Sequence, residues 1–303
     1  MDDLVLFLDG NSEKEFYNKK RNEYENVTAT NIFKNNSILN KIFRKIIIKM
    51  KLPLLPMLFG DWKKEIKKYS TVILSTSIYS LHIANYIQKK TNSRIIHWYW
   101  NPVIKSINPK KIMGQNTELW SFDINDCKNY GMNYISTYYF SNIKLTKTKI
   151  KNDIYFMGAD KGRLDKLLKL KETFEKSDLR VKMHITKSEE SNHRSYSFMQ
   201  RIPYQEVLEG ISESIAILDL VQAGQSGMSQ RPMEALFLEK KLITNDKNIS
   251  KYEFYNKNNI FILGKDDINN IASFINSDYV QIDEQIIRKY DFGNWLNRIS
   301  NRN

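Results

Sequence analysis

The chain is 303 residues long, about two domains by length, and 41 % hydrophobic residues are enough to bury a sizeable core. No apolar run of about 18 residues occurs, which excludes a membrane-spanning helix, and a lone cysteine, Cys127, excludes an internal disulfide and suits a reducing compartment. The charge is lopsided: residues 1–150 hold 24 Lys and Arg against 12 Asp and Glu, and residues 151–303 hold 23 against 22. A polyanionic partner is therefore expected for the first half, whether a membrane surface, a nucleic acid or an acidic substrate. The start, MDDLVLFLDG, is acidic where a secretory leader is basic, so an intracellular chain is expected. His82, His97, His184 and His193 show no metal-ligand spacing, and no metal is expected.

Leu4–Leu8 predicts a first buried strand, closed by Asp9-Gly10-Asn11. Polar residues at the carboxyl end of such a strand face the ligand crevice of an open α/β sheet, which makes Asp9 a candidate as well as a plain turn former. Residues 12–32 are highly charged and predict a helix. Lys34–Phe59, KNNSILNKIFRKIIIKMKLPLLPMLF, carries six basic residues and no acidic one. Ile38, Ile42, Phe43, Ile46 and Ile47 recur there at helical spacing, and Pro53 and Pro56 leave Leu54, Leu55, Met57, Leu58 and Phe59 in a loop. An interfacial segment on an anionic membrane has this pattern, with Lys41, Arg44, Lys45, Lys49 and Lys51 toward the headgroups; so does a core-packed helix with a solvated basic face.

Val72–Leu74 predicts a second strand, followed by a helix from Tyr79 to Lys90 that carries His82. Arg94–Trp100 (RIIHWYW) predicts a third, stopped by Asn101-Pro102, with His97 in its middle. Glu118–Phe122 predicts a fourth, running into Asp123 and Asp126, which read as turn and helix-cap residues. Strands alternating with helices predict a parallel, Rossmann-like sheet. Tyr134–Lys151 lacks a helical period and reads as the connection to a second domain, giving expected domains of 1–150 and 151–290, with 291–303 a final helix packing back on the first.

The second domain repeats the alternation. Ile154–Met157 leads into Gly158–Arg163, a helix from Leu164 and a strand at Val181–Thr186. Ile215–Leu220 is an apolar run ending in the loop Gln222–Gln230, with a helix starting near Pro232 and a short strand at Leu242–Thr244. A small-residue loop feeding a helix start suits phosphate, through unpaired N–H groups and the positive end of the helix dipole. The residues available are Lys161 and Arg163 at one helix start, and Gln225, Ser226, Gly227, Met228, Ser229 and Arg231 at the other. Glu234 is spaced to take ribose hydroxyls, and Ile202 and Tyr204 to border a base, so a nucleoside diphosphate is the ligand this set suits. A plain α/β turn with surface charge has the same local pattern.

On these residues the chain resembles bacterial cell-surface polysaccharide glycosyltransferases (capsule, O-antigen or lipopolysaccharide core) of the GT-B type. The stretches that carry the likeness are YFMGADKGR (155–163), IPYQEVL (202–208), ILDLVQAGQSGMSQRPMEAL (217–236) and KKLITND (240–246), with WNPV (100–103) and SFDINDCKNYGMNY (121–134) in the first half. The resemblance implies an α/β fold of two Rossmann-like domains facing a central cleft. It also implies a cytoplasmic, metal-independent hexosyl- or deoxyhexosyltransferase, peripheral on the inner face of the cell membrane. That enzyme would move a sugar from a nucleotide-diphosphate sugar to a lipid-linked glycan, with no nucleic-acid partner. Many such enzymes carry two glutamates eight positions apart; Glu234 matches the second, and Ser226 stands at the first. Retention or inversion is therefore open, and for inversion Asp9 and His82 are the candidate bases. A non-catalytic nucleotide-sugar-binding subunit and a basic nucleic-acid-binding protein are the alternatives.

Overall fold

A computed structural model describes residues 4–10, 15–112, 117–193, 195–221 and 225–300. The chain forms two compact units: residues 1–136 with 295–303, and residues 137–294. The first change of unit thus falls at Ser136 rather than at residue 150, because Tyr138, Tyr139 and Phe140 pack in the second unit, against Phe292 and Phe237. Both units are α/β and Rossmann-like, each with a wholly parallel sheet.

In unit 1 the strands are β1 (Val5–Asp9), β2 (Val27–Asn31), β3 (Thr71–Ser75), β4 (Arg94–Tyr99), β5 (Thr117–Ser121) and β6 (Asn133–Tyr134), in the order β2-β1-β3-β4-β5-β6. The helices are α1 (Glu15–Arg21), α2 (Ile38–Lys49), α3 (Ser80–Gln88) and α4 (Ile124–Tyr130). Strands β1, β3 and β4 are buried on both faces, so they read as continuous apolar runs. Strand β2 and the two-residue β6 are the corrections to the expected order. Strand β2 lies at the sheet edge and buries only alternate residues, Val27 and Ala29, so VTATN lacks the continuous apolar run that marks the central strands.

One sheet face carries Leu6, Leu8, Val72, Leu74 and Ile95 against Ile83, Ala84 and Ile87 of α3. The other carries Phe7 and Trp98 against Trp295 of α10 (Phe292–Ser300), with ring centroids 6.3 and 5.2 Å from the Trp295 ring. Arg94 holds the end of α10 by donating to the carbonyls of Ile299 (3.0 Å) and Ser300 (2.6 Å), while its guanidinium also pairs with Glu118. A cation there meets both the unpaired carbonyls and the negative end of the helix dipole. Asp123 caps α4, accepting from the N–H groups of Asn125 and Asp126, as its spacing predicts.

Unit 2 contains β7 (Asn152–Ala159), β8 (Val181–Thr186), β9 (Ser214–Asp219), β10 (Lys241–Thr244) and β11 (Ile260–Ile262), in the order β11-β10-β9-β7-β8. Its helices are α5 (Leu164–Glu175), α6 (Tyr204–Ser212), α7 (Gln230–Phe237), α8 (Ile271–Asn276) and α9 (Glu284–Arg288). Leu164, Leu167 and Phe174 bury the apolar stripe of α5 beside Ile154, Phe156 and Ile185. Helix α6 comes so close to β7 that a Cβ on Gly210 would sit 2.5 Å from the buried Tyr155 ring.

In both units the chain lays its second strand on one side of the first and its third on the other, so a topological switch point lies between β1 and β3 and between β7 and β9. Ligands of open α/β sheets bind beyond the strand carboxyl ends at such a point.

Two outcomes test this packing. His97 lies between Leu74 and Leu119 in the sheet, fully buried, with neither ring nitrogen hydrogen-bonded. Burial lowers its pKa from 6.5 to about 4. The unfolded chain therefore takes up a proton between those values that the folded chain refuses, and stability falls as pH drops through that window. The expected loss reaches about 3 kcal/mol in urea titrations, and His97→Leu should flatten that slope. Gly210→Ala should cost about 1–3 kcal/mol by overpacking against Tyr155, read as a lower urea midpoint.

Candidate functional site

At the switch point of unit 2, β7 ends at Ala159 and β9 at Asp219. After β7 the backbone makes two successive left-handed residues, Lys161 (φ 51°) and Gly162 (φ 72°). The second is free of strain because it is glycine. This turn folds Arg163 back, so that its Nε donates to the carbonyl of Asp160 and its Nη2 to that of Ala159 (3.2 and 3.0 Å). Burial lowers the Arg163 pKa, while the carboxylates of Asp219 and Asp160 favour its charge. Lys161 itself is exposed, and its backbone N–H donates to the Ser188 hydroxyl.

Asp219 is buried, with Oδ1 accepting from the Ser229 hydroxyl (2.9 Å) and Oδ2 from the Thr244 hydroxyl (3.2 Å). Burial raises its pKa above the ordinary carboxylate range, against the pull of Ser229, Arg163, Thr244 and Arg231. Ser229 also caps α7, its hydroxyl accepting from the N–H of Arg231 at 3.3 Å. The helix starts at Gln230, two residues before the Pro232 that the sequence singles out. Upstream, Gln225 donates to the Gly227 carbonyl, and the Met228 carbonyl accepts from Thr137. Gln222–Gly224, the first part of the predicted loop, lie outside the described residues.

Arg231 and Glu234 form an ion pair one turn apart on α7. Glu234 is 0 % exposed. Its second oxygen accepts from the Tyr204 hydroxyl at 2.8 Å, and Tyr139 in turn donates to the Tyr204 oxygen at 2.7 Å. Arg231 reaches Met157 of β7 on its other side, Nη2 lying 3.8 Å from the sulfur. Both Glu234 oxygens are thus engaged by protein. Its place is beneath Arg231, aligning the guanidinium, rather than at an open surface where ribose hydroxyls would meet it. Ile202 is half-buried just before α6.

The structure therefore gathers Arg163, Ser229, Arg231, Glu234 and Tyr204 and adds Asp160, Asp219 and Tyr139, which the sequence reading passes over. Asp219 left one signal, an acid inside the apolar run Ile215–Leu220. The cluster holds two guanidiniums against three carboxyls. Arg231 pairs with Glu234, and burial raises the Asp219 pKa. Among the described residues, no three His, Cys, Asp or Glu side chains group as a metal site.

In unit 1 the two candidate bases part company. His82 is half-buried on α3. Asp9 is at the β1–β3 switch point but 1 % exposed, and its carboxylate pairs with Arg21 at 2.8 Å. Arg21 is itself buried over the Phe7 ring and bonded to Asn18. This ion pair fastens α1 to β1 and leaves Asp9 badly placed to take a substrate proton.

Arg44 is likewise corrected from its expected membrane-facing position. It is 2 % exposed, lies 4.0 Å over the Phe33 ring, and donates to the Asn35 carbonyl and the Asn36 side chain. Lys41, Lys45, Lys49 and Lys51 are exposed.

No family model and no curated protein matches this sequence. Among solved structures, an alpha-glucosyltransferase in complex with UDP and a 13-mer DNA containing a central A:G mismatch is similar. It shares 11 % identity over 98 % of this chain and 92 % of its own, with a TM-score of 0.51. A crystal structure of a GsuK mutant matches 80 % of this chain and 60 % of its own at 10 % identity, and its TM-score of 0.28 carries no argument. The first likeness is one of α/β fold. No described helix is long and apolar enough to cross a membrane.

Removing the Asp9 carboxylate leaves Arg21 buried without its counter-charge, so Asp9→Ala should destabilise unit 1 by about 3–5 kcal/mol in urea unfolding. Unchanged stability with lost turnover would return Asp9 to the role of base.

Proposed function

We propose that this chain is a glycosyltransferase that binds a nucleotide-diphosphate sugar in unit 2 and transfers the sugar to a lipid-linked surface glycan of the capsule, O-antigen or lipopolysaccharide-core kind. The observation that carries the reading is the switch-point cluster, in which a buried Asp219 fixes the Ser229 cap of α7 and a buried Glu234 aims Arg231. The fold likeness to a UDP-bound glucosyltransferase supports it. In this reading Arg231, Arg163 and Lys161 meet the charge of the departing nucleotide diphosphate without a metal. Ile202 and Tyr204 border the base. If the reaction inverts, His82 takes the proton of the acceptor hydroxyl. A lipid-linked acceptor places the enzyme at the inner face of a cell membrane.

A non-catalytic nucleotide-sugar-binding subunit is the second reading, favoured by Ser226 at the position where many such enzymes carry a glutamate. It predicts donor binding with neither hydrolysis nor transfer.

Titration calorimetry with UDP and other nucleoside diphosphates tests the site. Arg231→Ala should weaken binding roughly ten- to a hundredfold, the worth of a charge-assisted hydrogen bond. Tyr204→Phe, which loosens Glu234 and through it Arg231, should weaken binding less. Unchanged affinity in Arg231→Ala would overturn the site assignment.

A further inference from the structure

A surface helix ordinarily turns its apolar stripe to the core. Helix α2 does the reverse. Arg44 and Ile47 are its buried residues, while Ile38, Leu39, Ile42, Phe43 and Ile46, with Met50 at its end, are 45–79 % exposed. At about 100° per residue these six cover an arc of about 140°. Lys41, Lys45 and Lys49, four residues apart, form one exposed stripe along the flank of that arc. The roll of the helix is set from below: Arg44 sits in a pocket made by the Phe33 ring and the Asn35 carbonyl, so the apolar arc has no freedom to turn inward. Nine of the fifteen exposed large apolar side chains among the described residues fall between Ile38 and Met57.

We propose that this face of α2 and the turn after it insert at the surface of an anionic lipid bilayer, with the arc in the acyl boundary and the lysine stripe among the headgroups. The inference is argued from unit 1 alone and deepens the membrane location in the proposed function, while vesicle flotation and UDP binding read the two separately. Charge decides the occupant. A second copy of the chain would bring two such lysine stripes together, and residues 34–60 contain no acid to answer them. A nucleic acid would satisfy the lysines and leave six large apolar side chains against phosphate and sugar. A bilayer with acidic headgroups satisfies both sets at once, since lysine stems reach along apolar surface while the ammonium stays in the polar layer.

Flotation of the full chain with phosphatidylcholine vesicles, with and without phosphatidylglycerol, tests this. The protein should float with the anionic vesicles. Lys41→Glu, Lys45→Glu and Lys49→Glu together should cut binding roughly a hundredfold. Ile42→Ser with Phe43→Ser should cut it more than tenfold while leaving the melting temperature and UDP binding unchanged. An environment-sensitive fluorophore on Ile42→Cys, where the native Cys127 is buried, should brighten on anionic vesicles. The proposal is overturned if the wild-type chain stays down, if the Ile42/Phe43 variant floats as well as wild type, or if the lysine variant instead loses duplex DNA. It fails equally if the wild-type chain sediments as a dimer that Phe43→Ser dissociates.

Discussion

A carboxylate with no access to water has to be answered by the protein around it, and Glu234 sets that demand at the centre of unit 2. An unpaired buried charge costs several kcal/mol, so every group that meets it is held in place by the need. Arg231 answers from the same helix, Tyr204 from the start of α6, and Tyr139 supports Tyr204 from the segment that opens the unit. Three stretches far apart in the chain are thereby tied at one point, and the guanidinium aimed at the switch point is the product of that tie. Asp219 does the parallel task for the backbone: by accepting from Ser229 it fixes the cap that starts α7.

The two units show the same topology put to different use. In each, an aspartate ends the first or third strand at a switch point. In unit 1 the aspartate is consumed by a buried arginine, and the crevice residue predicted from strand position becomes a structural clasp. In unit 2 the aspartate accepts from hydroxyls, with two arginines near it. Position in the topology selects where a ligand goes; the partners of the side chain decide whether it is available to meet one.

Much of the framework was legible because parallel strands buried on both faces leave apolar runs, as at β1, β3, β4, β9 and β10. Strand β2 escaped for the opposite reason, since an edge strand needs only every second residue inside. The helix starts around Arg163 and Arg231 were readable from small-residue loops, but their geometry was not. Nothing local says that Arg163 folds back on its own carbonyls, or that Tyr139 lies under Tyr204, 65 residues away. The clearest misreading concerns Arg44. Grouped by residue type it belongs with the lysines, whereas by helical angle it shares the inner side with Ile47. An arginine over an aromatic ring can be core, and the spacing of its own helix does not reveal the ring.

The six described residues of α10 that follow Asn294 carry a consequence for how the molecule is made. Trp295 fills the sheet face of unit 1 at Phe7 and Trp98, and Arg94 ties off the last turn of α10. Those partners emerge from the ribosome some two hundred residues before Trp295 does. During synthesis the first unit must wait with a tryptophan-lined face uncovered while the whole of the second unit is translated. Vectorial folding therefore leaves the earlier-made sheet incomplete on one face until the last turns of α10 arrive.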